Sequence, residues 1–158
     1  MTRVIREVDA ASTDGLLLIT ALDADLQVRY PGAVIHSIDP RTFAASGGIF
    51  LVAYADNQPV ACGALRRTAD GEYEIKRMFV LAGARRRGHA RAILTAIEER
   101  ARQLDARLLL LETGDGQPEA VNLYQSAGYR PVPCFGAYAG NPHSRCFEKR
   151  LGTIDRVR

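Results

Sequence analysis

Hydrophobic positions along the chain change their period several times, and each change marks an element. Val4 and Ile5 form a short apolar start that reads as a first strand. Leu16, Leu17, Ile19, Leu22 and Leu26 then recur at helical spacing. Thr13 and Asp14 supply N-cap chemistry before them, and Pro31-Gly32 follows, so this helix ends near Arg29. Residues 31–48 show no period and carry the turn signals Asp39-Pro40 and Ser46-Gly47-Gly48. Three β-rich runs come next: Ile49–Ala55, Val60–Arg67 and Tyr73–Leu81. The short turns between them, Asp56-Asn57-Gln58-Pro59 and Thr68-Ala69-Asp70-Gly71, predict an antiparallel meander.

From Gly88 the pattern turns helical. Ala90, Ile93, Leu94, Ile97, Ala101 and Leu104 share one face, the clearest amphipathic helix in the chain. The run Arg107–Glu112, with its four consecutive leucines, reads as a buried strand. Pro118 suits a helix first turn, and Gly128 ends that helix after Val121, Leu123 and Tyr124. Two short strands, Arg130–Pro133 and Arg145–Leu151, complete a mixed α/β sheet.

Composition narrows the class. At 158 residues the chain is expected to be one domain, 1–158, with its core over about 3–151 and a polar tail at 152–158. Apolar residues at 47% and charged residues at 25% exclude a disordered chain. No apolar run is long enough to span a bilayer, and Met1–Ser12 lacks the apolar stretch of a signal peptide. A cytoplasmic protein without a membrane partner is therefore expected. The net charge of +3 is too small to argue for nucleic acid. Lys76 and Lys149 are the only lysines; the other cations are arginines. Cys62, Cys134 and Cys146 are odd in number and lack CxxC spacing, so neither a disulfide framework nor a zinc site is indicated. His36, His89 and His143 are far apart, and no metal is expected.

The most informative segment is Arg85-Arg86-Arg87-Gly88-His89-Ala90, between a strand and the strong helix. A helix N-terminus gathers unpaired N–H groups and positive potential at one point. Gly88 lets an anion approach the backbone, and Arg85, Arg86, Arg87 and Arg91 add charge. The chemistry points to a polyphosphate, and neither a Walker loop nor a GxGxxG dinucleotide loop is present. A solvated basic loop at an ordinary helix start is the plainer alternative.

Here the sequence resembles the GNAT superfamily of acyl-CoA-dependent N-acyltransferases. Arg85, Gly88 and Ala90 match the fixed positions of that family's Q/R-x-x-G-x-G/A loop. Tyr73–Val80 resembles its central strand, and Leu123-Tyr124-Gln125-Ser126-Ala127-Gly128-Tyr129 its LYxxxGF signature. The resemblance implies a mainly antiparallel central sheet flanked by helices, with acetyl-CoA as co-substrate and a small-molecule amine as acceptor. It assigns the cofactor pyrophosphate to the loop 85–91, including His89, and the pantetheine arm to the strand at Met78, Phe79 and Val80. It makes Tyr124 the acid that protonates the departing thiolate; without it, Tyr124 reads as a core tyrosine. It makes Glu74 a candidate general base. Plain alternation places Glu74 on the face of Met78 and Val80, and a surface pairing with Lys76 or Arg77 is the competing reading. Gln117 stands where many relatives have a cofactor-binding Asn.

The acceptor site is expected from residues 25–40 and 130–146. Arg29 and Tyr30 are candidate substrate contacts, Arg29 for a carboxylate. Glu112 could bind a cationic acceptor, and Cys134 reads as a buried or loop thiol near the same place. Relatives often dimerise, so a homodimer is an expectation. The alternatives to an N-acetyltransferase are a non-catalytic acyl-CoA sensor and, further off, a nucleic-acid-binding module.

Overall fold

A computed structural model describes residues 1–152; of the expected tail, 153–158 lie outside the described residues. The elements follow the order β1 (Arg3–Glu7), α1 (Thr13–Arg29), β2 (Ile49–Ala55), β3 (Gln58–Arg67), β4 (Tyr73–Val80), α2 (His89–Gln103), β5 (Leu108–Gly114), α3 (Pro118–Ser126), β6 (Arg130–Val132) and β7 (Ser144–Arg150). Helix α1 starts one residue earlier than its cap chemistry suggested. The cap is Ser12, whose hydroxyl accepts from the Gly15 N–H. Among the described residues no helix is long and apolar enough to cross a membrane.

The strands form one sheet in the order β1-β2-β3-β4-β5-β7-β6. All pairs are antiparallel except β4–β5, which are joined through α2. Helix α2 brings Ile93, Leu94, Ile97 and Ala101 onto one face of the sheet, and α3 adds Tyr124. Helix α1 covers the other face, where Leu18 and Ile19 meet Phe50, Val52, Cys62 and Ala64. Burying apolar side chains on both faces stabilises this layering. Gly63 makes the close approach of α2 possible, because a Cβ there would lie 2.6 Å from Ile93 Cγ2 and 2.7 Å from Met78 Sδ.

Two sequence expectations change at this level. The β3–β4 register slips where Cys62 pairs with Phe79 and Ala64 with Lys76, leaving Arg77 and Met78 opposite Gly63. This is a β-bulge, and Arg77 sits at φ +59° within it. The bulge inverts the alternation beyond it. Tyr73, Ile75, Met78 and Val80 pack on the α2 side, whereas Phe79 packs on the α1 side. Glu74, between Tyr73 and Ile75, therefore lies on the face opposite Met78 and Val80. The second change concerns the cysteines. Cys134 and Cys146 form a disulfide, and Cys62 is the buried free thiol. The pairing of Val132 with Cys146 across β6 and β7 carries the chain just beyond β6 alongside β7.

Candidate active site

The parallel pair β4–β5 is short. It joins Tyr73, Glu74 and Ile75 to Leu109, Leu110 and Leu111, and then the strands part. Beyond that point β4 stays with β3 as far as Val80, and β5 stays with β7 as far as Gly114. The bulge bends β4 away, and α1 secures the bend: Arg77 Nη2 donates to Asp23 Oδ1 and to the Ile19 carbonyl at 3.1 Å. The result is a wedge within the sheet that holds a cavity of about 110 Å³. Lys76, Arg77 and Met78 line it from β4, Glu112 and Thr113 from β5, Gln117 from the cap of α3 and Tyr124 from α3 itself. A second cavity of about 130 Å³ shares Leu26, His36, Glu112 and Gln117 with the first and extends to Tyr30 and His143.

Tyr124 is 4% exposed. Burial, then the nearby Glu112 carboxylate, pushes its phenol well above the ordinary tyrosine range, so it stays protonated. Glu112 Oε2 accepts from Ser144 Oγ at 2.6 Å. Burial raises the Glu112 carboxyl above its ordinary value, partly opposed by Ser144, Lys76 and His36. Gln117 accepts through Oε1 from the Gly114 N–H and Thr113 Oγ1, both at 3.3 Å. Gln117 lines both cavities, and its amide nitrogen carries two further donors.

Glu74 is 2% exposed and lines neither cavity. Its Oε1 accepts from Arg66 Nε at 3.1 Å and Nη2 at 2.9 Å. Its Oε2 accepts from Tyr138 Oη at 2.8 Å, and Lys76 Nζ donates to the same Oη at 2.9 Å. A chain of hydrogen bonds thus runs from Arg66 through Glu74 and Tyr138 to Lys76. The ring of Tyr138 also meets His36 edge-on at 5.3 Å.

At the outer end of β4 lies the loop before α2. Gly88 caps the helix at φ +81°, the left-handed region that favours glycine. Among the described residues, nothing accepts from the backbone N–H groups of residues 86–91. Arg3 fixes the loop from behind, donating from Nη2 to the Arg87 carbonyl at 2.7 Å and from Nε to His89 Nδ1 at 3.1 Å. Arg85 lies over the Phe79 ring and donates to the Val80 carbonyl, and Arg91 donates to Ser126 Oγ.

A model of the Acetyltransferase (GNAT) family matches residues 19–129. The chain belongs to the GNAT family. It is 39% identical over 135 residues to an IAA acetyltransferase of Azospirillum brasilense, covering 85% of this chain and 88% of that one. A Klebsiella pneumoniae structure assigned to the acyl-CoA N-acyltransferases superposes with a TM-score of 0.80 at 30% identity, covering 96% of this chain and 99% of the other. The PaiA N-acetyltransferase of Thermoplasma acidophilum, solved with coenzyme A, shares the fold with a TM-score of 0.74 at 15% identity, over 96% of this chain and 100% of that one. The chain is accordingly an acyltransferase of GNAT type.

Within this GNAT domain the predicted residues divide into three groups. Tyr124, Met78, Gln117 and Glu112 meet at the wedge. Arg85, Arg86, Arg87, Gly88 and Arg91 are exposed at the loop, whereas His89 is buried behind it. Its burial and the neighbouring Arg3 and Arg87 lower its pKa and keep it neutral. Arg29 is engaged elsewhere: it donates to Asp25, to the Gly116 carbonyl and to Glu119, tying the end of α1 to the start of α3. It lines neither cavity. Tyr30 lines the second cavity and accepts the Gly116 N–H at 2.9 Å. Lys76, His36 and Ser144 complete the site; His36 and Ser144 fall in the stretches 25–40 and 130–146 expected to shape it, whereas Lys76 was expected only as a pairing partner of Glu74. The rarity of lysine in this arginine-rich chain was the one signal for Lys76.

Proposed function

We propose that the protein transfers an acetyl group from acetyl-CoA directly to a primary amine of a small molecule, both substrates being bound at once. The observation that carries this reading is the bare hydroxyl of Tyr124. It stands at the parting of β4 and β5, with unpartnered N–H groups at the α2 N-terminus for a pyrophosphate and, between them, a stretch of β4 beyond Ile75 that no longer pairs with β5 and can receive an amide-bearing arm. Gly88 fits such a ligand, since its φ of +81° favours glycine and a Cβ there would also meet Arg3 Nη2 at 3.4 Å. The IAA acetyltransferase relative supports a small acceptor.

The amine nitrogen attacks the thioester carbonyl carbon, a C–N bond forms and the C–S bond breaks. An amine that arrives as ammonium first gives one proton to a carboxylate, which frees its lone pair; the leaving thiolate takes the Tyr124 proton, and the second proton of the amine restores the Tyr124 phenol. Glu112 faces the cavity and is assigned the carboxylate's role ahead of Glu74, whose oxygens are held by Arg66 and Tyr138.

Calorimetric titration with acetyl-CoA, followed by thiol release with a panel of amines, tests the reading. Micromolar binding is expected for the native protein. Gly88→Asp, which places a carboxylate among the free N–H groups, should lose most of that affinity. Undiminished binding in the variant, or no thiol release with any amine, would refute the proposal.

A further inference from the structure

The wedge holds two charges that the protein leaves unpaired. Lys76 is 7% exposed and lines the first cavity. Among the described residues no carboxylate lies within 4 Å of its ammonium, and its hydrogen bond goes to the neutral Tyr138 phenol. An ammonium has three donors, so two remain. Glu74, the nearest acidic residue in sequence, is neutralised by Arg66. Glu112 is the mirror case: Ser144 satisfies Oε2, and among the described residues no cation pairs with the carboxylate. Lys76 and Glu112 line the same cavity without forming an ion pair with each other.

Leaving charges half-buried without counter-ions is costly unless a ligand supplies them. A ligand bearing one cation and one anion satisfies both. A simple amine would leave Lys76 facing an added positive charge, and a simple acid would set its carboxylate against Glu112. Tyr124 packs on Phe147, which pairs across the sheet with Leu111, the residue before Glu112, and Tyr124 and Glu112 line the same cavity, so the cationic end of the ligand lies at the reacting end of the wedge.

We infer that the acceptor is an amino acid, its amine received by Glu112 and its carboxylate by Lys76, with its side chain directed into the second cavity. That cavity begins at Glu112 and His36 and presents Leu26, Ile35 and Tyr30, which suits an apolar or aromatic side chain. Lys76 is thereby a specificity-determining residue, and Glu74 is a positioning residue that acts through Tyr138. The inference deepens the transferase reading and rests on it only for which end of the ligand reacts.

The test uses L-leucine, L-methionine and L-phenylalanine, each beside its methyl ester and its decarboxylated amine. Binding is measured calorimetrically in the presence of coenzyme A, and turnover by thiol release from acetyl-CoA. At least one free amino acid should bind roughly tenfold or more tightly than its ester and amine, the scale of one charge-assisted contact. Lys76→Met should abolish that preference, and Lys76→Arg should retain part of it. Coenzyme A binding by each variant verifies that it is folded. Equal use of amine, ester and acid would overturn the slot while leaving acetyl transfer intact. A Lys76-dependent preference in binding without turnover would uphold the slot and refute the transferase reading. No binding of any panel member would overturn the slot.

Discussion

Burial and then the Glu112 carboxylate oppose the Tyr124 phenolate and raise its pKa above the ordinary tyrosine value. Loss of its proton is thereby shifted to higher pH. Tyr124→Phe should lower kcat about a hundredfold, the scale of one general acid, while acetyl-CoA affinity changes little. Equal loss in kcat and affinity would remove the acid role. Glu112 has the opposite behaviour. Its pKa is raised, and it must be ionised to accept a proton, so kcat/KM should fall as pH drops through a value above the ordinary carboxylate of about 4.3. Glu112→Gln should remove that acid limb from the pH profile together with most of the rate; an unchanged limb would assign it to another group. Tyr124 was legible in the sequence because a local motif announces it. The tie of Arg29 to Glu119 was not legible, because Glu119 lies on α3 and only the fold brings it near, whereas Asp25 is an i,i+4 neighbour on α1.

The helices and strands were readable because each depends on a short-range period of apolar residues. The bulge was not, because it arises from long-range contacts. Arg77 adopts a left-handed backbone angle and is retained by Asp23 and the Ile19 carbonyl of α1, more than fifty residues away in sequence. Since the bulge inverts the face of every later residue in β4, simple alternation put Glu74 on the wrong side. The Cys134–Cys146 pair escaped notice for a related reason, as spacing alone carries no information about the β6–β7 register. The packing of α2 over β3 also rests on one position. Gly63→Ala should destabilise the fold by roughly 1–3 kcal/mol, because Ile93, Ile97 and Met78 surround the new methyl group at under 3 Å. Chemical denaturation would measure it. A neutral result would mean that α2 shifts without cost.

At the scale of the molecule, seven strands among the described residues form one sheet that lacks a few rungs between β4 and β5. Where the strands pair, the backbone amides are locked in ladders, while β4 beyond Ile75 borders a cavity on its β5 side. Deuterium should record the difference. The amides of Lys76–Val80 that point into the gap should exchange quickly in the free protein, while those of β3 opposite them remain protected. Adding coenzyme A should slow them selectively, leaving an isotopic footprint of the missing strand. Uniform protection along β4 in the free protein would mean that the gap is closed in solution.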